Sequence, residues 1–317
     1  MLISVVVPAY NESEGLTELH RQLVKVFEAH AEDWELLIVD DGSSDNTWRQ
    51  IESLSEQDGR VGGIRLSRNF GHQYALLAGL SQARGAAVIS MDADLQHPPE
   101  FIPRLLEEWR KGAKIVNTLR QPPPDYSAFK RATSRLYYRL FSYLSGVRLE
   151  AGMADFRLLD RQVLDDVLRF GEESLFLRGI VQWVGYPRTA LQYQAGRRNS
   201  GVSKYSLWKM LRLAWHGVSA FSIVPLRLGV LTGFIVSGVS FTGILYAIYS
   251  KYIAGDAVPG WASVMAVSSF LFGVLFILLG VLGEYVGRIL IEVKQRPRYL
   301  VSQRVGVCDE AVRDPAA

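Results

Sequence analysis

Residues 2–12 read LISVVVPAYNE, an apolar, β-branched run that meets Pro8 and turns polar at once. Branched side chains stiffen an extended backbone and suit a buried strand. Residues 2–7 therefore predict a first strand with a polar loop at its carboxyl end. Runs of the same character recur at 35–39, 63–66, 86–91 and 114–117. Helix-like segments lie between them, near 15–30, 46–57, 73–83 and 99–111. Ser13, and Ser44 or Asp45, suit helix N-caps, and Pro99 suits a first helical turn. This alternation predicts an α/β fold, Rossmann-like, with a mainly parallel sheet and helices on both faces.

Such sheets bind ligands beyond the carboxyl ends of their strands. The unusual polar residues fall there: 8–12 after the first strand, 40–43 after the second, 68–71 after the third and 92–94 after the fourth. One such loop is a turn, whereas four on one edge form a site. There is no G-x-G-x-x-G after the first strand and no G-x-x-x-x-G-K-[ST] anywhere, which disfavours dinucleotide-binding and P-loop chemistry. Asp92-x-Asp94 places two carboxylates in a strand-end loop, a pattern that holds a hard divalent cation bridging substrate phosphates.

The 317 residues carry a net charge of +3, too little to imply a nucleic-acid surface. The single cysteine, Cys308, lies in a polar tail and supplies neither a disulfide framework nor a thiolate metal site. Met1 leads straight into the first apolar run without a basic region or cleavage site, so we expect no signal peptide and a cytosolic N-terminal domain. Composition changes at Pro225: no charge occurs from 228 to 250 or from 257 to 283. Both stretches exceed the roughly 20 residues that cross a hydrocarbon core. We expect a transmembrane hairpin with spans at about 228–250 and 260–283. Arg227 before it and Arg288, Lys294, Arg296, Arg298 and Arg304 after it, against Lys251 in the link, put both ends in the cytoplasm. Upstream, 205–221 mixes Trp208, Leu211, Trp215 and Phe221 with Lys209, Arg212 and His216. That pattern suits a helix in the headgroup plane, or an amphipathic helix packed on the domain. The expected division is a catalytic domain over 1–200, interfacial helices over 201–225, two membrane helices within 226–290 and a basic cytosolic tail over 291–317.

Together, VVVPAYNE (5–12), VDDGSSDNT (39–47), LSRNFGHQ (66–73) and MDADLQHPPE (91–100) resemble glycosyltransferase family 2 with the GT-A fold. GMADFRLLDR (152–161), RRNSGVSKY (197–205) and GEYVGRILIEVKQRPRY (283–299), beside two spans, resemble its polyprenyl-phosphate branch. That branch includes bactoprenol glucosyltransferases, undecaprenyl-phosphate aminoarabinose transferases and dolichol-phosphate mannose synthases. The resemblance runs nearly the whole chain, to about Leu300, and is nearest to bacterial two-span members.

By that resemblance, Pro8, Tyr10, Glu12 and Asp41 hold the nucleobase and ribose, with Asp40 and Asp41 as acceptors for uracil N–H or ribose hydroxyls. The alternative for both aspartates is capping of turns and helices. Asp92 sits against ribose and metal, and Asp94 and Gln96 ligate Mg²⁺ or Mn²⁺; His97 departs from the usual Asp and stays outside the metal shell. Asp155 matches the acidic residue proposed as base or acceptor-orienting group. A phosphate monoester, already near −1.5 to −2 at neutral pH, needs little deprotonation, so orienting the donor sugar is the second reading of Asp155. Arg198 and Lys204, then Arg120 and Arg131, are the candidates for the acceptor phosphate; for Arg131 and Arg135 non-specific attraction to anionic lipid is an equal alternative. His72 packs or caps a helix, and 121–125 is a stiff acceptor-side loop.

The function implied is inverting transfer of a sugar, UDP-glucose the first choice of donor, to undecaprenyl or another polyprenyl phosphate at the inner membrane, by an enzyme whose relatives can form homotetramers. A processive polysaccharide synthase would need a longer membrane domain and Q-x-x-R-W, and Gln182-Trp183 lacks that spacing. A non-catalytic scaffold would have lost the acidic loop, which is present.

Overall fold

The structure, a computed structural model, describes residues 1–30, 32–121, 152–172, 176–193, 224–249 and 260–306. Its first unit is built on one eight-stranded sheet in the order β7-β5-β6-β4-β1-β2-β3-β8. The strands are β1 (Leu2–Ala9), β2 (Asp33–Asp40), β3 (Val61–Leu66), β4 (Ala87–Ser90), β5 (Ile115–Arg120), β6 (Met153–Asp160), β7 (Arg188–Tyr193) and β8 (Val301–Gly306). The helices of this unit are α1 (Leu16–Glu28), α2 (Thr47–Gln57), α3 (His72–Gln82), α4 (Ile102–Arg110), α5 (Arg161–Leu168) and α6 (Leu177–Trp183). A 3-10 turn, Pro99–Phe101, leads into α4 with Pro99 at its start, as expected.

β4, β1, β2 and β3 are parallel neighbours, joined by right-sized helical crossovers. β6 runs antiparallel to both β4 and β5, and β8 antiparallel to β3. Alternate side chains feed two cores. Ile3, Val5, Leu36, Ile38 and Ile89 pack with α1, α2 and α4. Val6, Leu37, Val39, Val88 and Leu159 pack with α3, α5 and α6. Burial on both faces explains why these strands read as continuous apolar runs.

Three strands escaped the sequence reading. β6 and β7 carry charges among their apolar residues, and β8 (VSQRVG) lies in what was read as a basic tail. Two helix starts also differ. α1 follows Gly15 without a side-chain cap, whereas the Ser13 N–H donates to Asp45 Oδ2 at 3.4 Å. At the start of α2 the N-cap is Asn46, and Asp45, one residue ahead, accepts from Thr47 N–H at 2.9 Å.

The second unit contains α7 (Val224–Tyr249) and α8 (Trp261–Val293). Among the described residues one stretch, Phe270–Val293, is long and apolar enough to cross a membrane, and Gly229–Gly243 is a shorter apolar stretch. α8 continues past 283, the expected end of the span, and Glu284 and Arg288 pair one turn apart at 3.0 Å along it. The expected interfacial helix at 205–221 lies outside the described residues.

Gly79, in the middle of α3, lets the helix settle onto β1 and β2: a Cβ there would lie 2.4 Å from Val6 Cγ1 and 2.9 Å from Val39 Cγ2. Alanine gains about 1 kcal/mol of helix propensity, but overpacking a β-branched core costs about 1–3 kcal/mol. Gly79→Ala is therefore expected to lower stability, seen as an earlier urea midpoint in tryptophan fluorescence; an unchanged or later midpoint would show the core yields.

Candidate active site

The four loops expected to converge do so at the carboxyl edge of the sheet, and the start of β6, which is antiparallel, joins them there. Two non-glycine residues of these loops have left-handed backbone, Asn11 (φ 56°) and Leu95 (φ 60°). Leu95 lies between Asp94 and Gln96, so this acidic loop holds a conformation that a branched residue rarely adopts. Gly42 (φ 66°) sits under the next loop, where a Cβ would come within 2.4 Å of the Arg68 carbonyl carbon. Only glycine permits that backbone approach.

On the β1–β2 side, much of the polarity holds the loops themselves. Asp40 is fully buried: Oδ1 accepts from Ser43 N–H at 2.8 Å and Oδ2 faces Arg65 Nε at 3.3 Å. Asp41 accepts from the N–H groups of Phe70 (2.8 Å) and Gly71 (2.9 Å), one on each oxygen. Burial raises the Asp41 pKa against the pull of those two N–H groups. Both aspartates thus brace the loops in this geometry, with Asp40 Oδ2 left without a hydrogen bond among the described residues. Pro8 is buried within β1 beside Val39. Tyr10 is exposed at the rim, and the Glu12 N–H donates to Thr47 Oγ1 at 3.0 Å.

The β4 loop differs. Asp92 Oδ1 is buried with no hydrogen-bond partner among the described residues, its nearest cationic neighbour being His72 Nε2 at 3.6 Å. Burial raises the Asp92 pKa, opposed by His97 and His72. Asp94 uses Oδ1 to accept from Gln96 N–H at 3.1 Å. His97 Nδ1 accepts from Asp92 N–H at 2.9 Å while its ring stacks on Phe156, with centroids 5.2 Å apart. Burial lowers the His97 pKa, which keeps the ring neutral and in this loop-bracing role. An orphaned carboxylate oxygen beside a second carboxylate fits a divalent cation completed by substrate phosphate. Among the described residues no cluster of three acidic, His or Cys groups would hold one unaided. Gln96 Oε1, the third oxygen expected in that shell, accepts from Arg120 Nη1 at 3.0 Å and so lies against a guanidinium. By the same bond Arg120, read as an acceptor-phosphate residue, is engaged with the acidic loop. Arg131, Arg198 and Lys204 lie outside the described residues.

Asp155, on β6, is 5% exposed. Arg178 donates Nε to Oδ1 (2.9 Å) and Nη2 to Oδ2 (2.8 Å), and Arg157 donates Nη2 to Oδ1 (2.8 Å). His72 Nε2 and Gln73 Nε2 each lie 3.4 Å from Oδ2. Burial alone would raise the Asp155 pKa; the bonds from His72 and Arg178 and the charge of Arg157 outweigh it and hold the carboxyl far below its usual range. A carboxylate so stabilised is a weak proton acceptor. The sequence reading missed both arginines. Arg157 was within reach, since two residues along a strand returns to the same face. Arg178, from α6, carried no local signal.

The model of the family described as Glycosyl transferase family 2 matches residues 4–168. A Bacillus subtilis (strain 168) protein named "Uncharacterized glycosyltransferase YkcC" is 40% identical, covering 96% of this chain and 94% of that one. The bactoprenol glucosyl transferase of Shigella phage SfX is 38% identical over 96% of this chain and 100% of its own. Among solved structures, mannosyl-3-phosphoglycerate synthase from Rubrobacter xylanophilus shares the fold, with a TM-score of 0.51 at 18% identity over 72% of this chain and 74% of that one.

Asp155→Asn would leave Arg157, itself 3% exposed, buried without its counter-charge. The expected loss is roughly 3–5 kcal/mol. Because the folded pKa is depressed, the native carboxylate's contribution is complete above its unfolded value of about 3.9 and is lost as pH falls through the folded value. Urea titrations should therefore show the difference between variant and parent narrowing below about pH 4, and also declining as pH rises through the neutral range, because the Asp155 carboxylate raises the His72 pKa. A difference that stays the same below about pH 4 would refute this.

Proposed function

The chain belongs to glycosyl transferase family 2, and we propose that within it the chain transfers glucose from UDP-glucose to undecaprenyl or a similar polyprenyl phosphate, inverting the anomeric centre. The observation that carries this is end-to-end similarity, through both the sheet and the apolar helices, to a bactoprenol glucosyl transferase. The acidic loops at the sheet edge support a nucleotide-sugar site. In the reaction a lipid phosphate oxygen bonds to the anomeric carbon as the bond to the nucleotide diphosphate breaks on the opposite face. Asp92 and Asp94 would hold Mg²⁺ or Mn²⁺, which supplies charge neutralisation for the departing diphosphate. Tyr10 and Glu12 line the nucleotide side, and Arg198, Lys204 and Arg131 are assigned to the acceptor by motif.

The reading includes a two-span hairpin in the inner membrane with the catalytic domain in the cytoplasm, and a homotetramer as its assembly. Chain tracing supports an even number of crossings. The chain leaves the sheet at Tyr193 and rejoins it at Val301, so it starts and ends on one side of any membrane it enters. In this reading the companion crossing to Phe270–Val293 is the shorter apolar stretch of α7. Holding enzyme and lipid in one plane makes their encounter effectively intramolecular.

Washed membranes given labelled nucleotide-sugars and undecaprenyl phosphate test the proposal. Acid-labile, chloroform-soluble label supports it; growing polymer, or no transfer from any donor, rules it out. In the same assay Asp94→Ala should fold normally and lose about 10²–10³-fold or more in turnover, the scale of one lost electrostatic partner of the leaving group. Near-normal turnover would remove Asp94 from the site.

A further inference from the structure

Asp155 collects more donors than a proton acceptor can use, and the two guanidiniums on it are not equivalent. Arg157 is 3% exposed, whereas the Arg178 side chain is 40% exposed. Arg157 is a buried counter-charge. Arg178 is partly exposed, and its two-pronged pairing with Asp155 fixes the plane of the guanidinium as well as its position. His72, 3.4 Å from Asp155 and 3.6 Å from Asp92, marks where this cluster meets the acidic loop.

Sheet order says which phosphate such a cation serves. The donor loops follow β1, β2 and β4, while Asp155 on β6 and Arg178 on α6 lie on the other side of β4. In an inverting displacement the nucleophile approaches opposite the leaving diphosphate, so a cation across β4 from the donor loops faces the nucleophile. We propose that Arg178 binds the phosphate of the acceptor and that Asp155 is the positioning residue that aims it; this rests on the transfer reaction proposed above. The electron pair of the broken bond leaves with the diphosphate, the phosphate oxygen supplies the new bond, and no proton passes to Asp155.

The test uses the full chain in detergent with undecaprenyl phosphate and whichever labelled nucleotide-sugar the membrane assay selects. Arg178→Ala should lose about 10–100-fold in kcat/KM for the lipid phosphate, the worth of one charge-assisted hydrogen bond, with KM for the nucleotide-sugar unchanged. Added guanidinium ion should restore part of that activity. Asp155→Asn should show the same acceptor-side loss, and the double variant should be no worse than either single one. If Arg178→Ala fails to fold, Arg178→Lys, which keeps the charge but not the fork, carries the same KM comparison. A loss expressed in the nucleotide-sugar KM would assign Arg178 to the donor and overturn the inference. So would an Asp155→Asn variant that is inactive beside a normal Arg178→Ala, since Asp155 would then act on its own. A parent enzyme that transfers to no lipid phosphate overturns the transfer reaction and this inference together; an active parent with an unaffected Arg178→Ala overturns the inference alone.

Discussion

Four residues of β4 join the two halves of the sheet, and the site exists because of how they do it. Ala87–Ser90 pairs in parallel with β1 on one side and antiparallel with β6 on the other. Ser90 Oγ also donates to the Asp155 carbonyl at 2.5 Å, so the strand is tied to its neighbour by side chain as well as ladder. The reversal of direction places the beginning of β6 beside the end of β4. Without it Asp155 would lie at the far edge from Asp92. Ligand sites in open α/β sheets form where strand order reverses; here that reversal falls between β1 and β4, one strand away from the change of direction between β4 and β6.

The same residue type does three jobs within a small volume. Asp41 spends both oxygens on the backbone of the neighbouring loop, Asp155 spends both on cations, and Asp92 keeps one oxygen unpartnered among the described residues. Burial raises all three pKa values, and the partners then decide the outcome: only Asp155 gathers enough positive charge to end well below the ordinary range. A carboxylate is therefore read by its donors rather than by its motif.

That distinction sets what was legible from the residues alone. β1 to β5 announced themselves because strands buried on both faces are written in Val, Ile and Leu, and the loops after them followed from the parallel order. β6 was visible as a motif but not as a strand, because Asp155 and Arg157 interrupt its apolar run. β7 and β8 sit at the sheet edges, where one flank is unpaired and the sequence is free to be polar. The residues most clearly named in advance, Asp92 and Asp94, are those whose role depends on local spacing. Arg178 and the Arg120–Gln96 bond depend on contacts 23 and 24 residues apart, which no short pattern encodes.

The position of β8 has a practical consequence for handling the molecule. A soluble fragment cut after the catalytic residues would keep β3 but discard the strand that covers its outer edge. β3 contributes Gly62 and Gly63 to that pairing, a flat stretch with little side-chain bulk to repel another chain. Exposed, it would be a template for sheet-to-sheet aggregation. Removing the apolar helices while splicing residues 296–306 back on, through a linker long enough to span the gap, would preserve the edge and is the more rational route to a water-soluble enzyme.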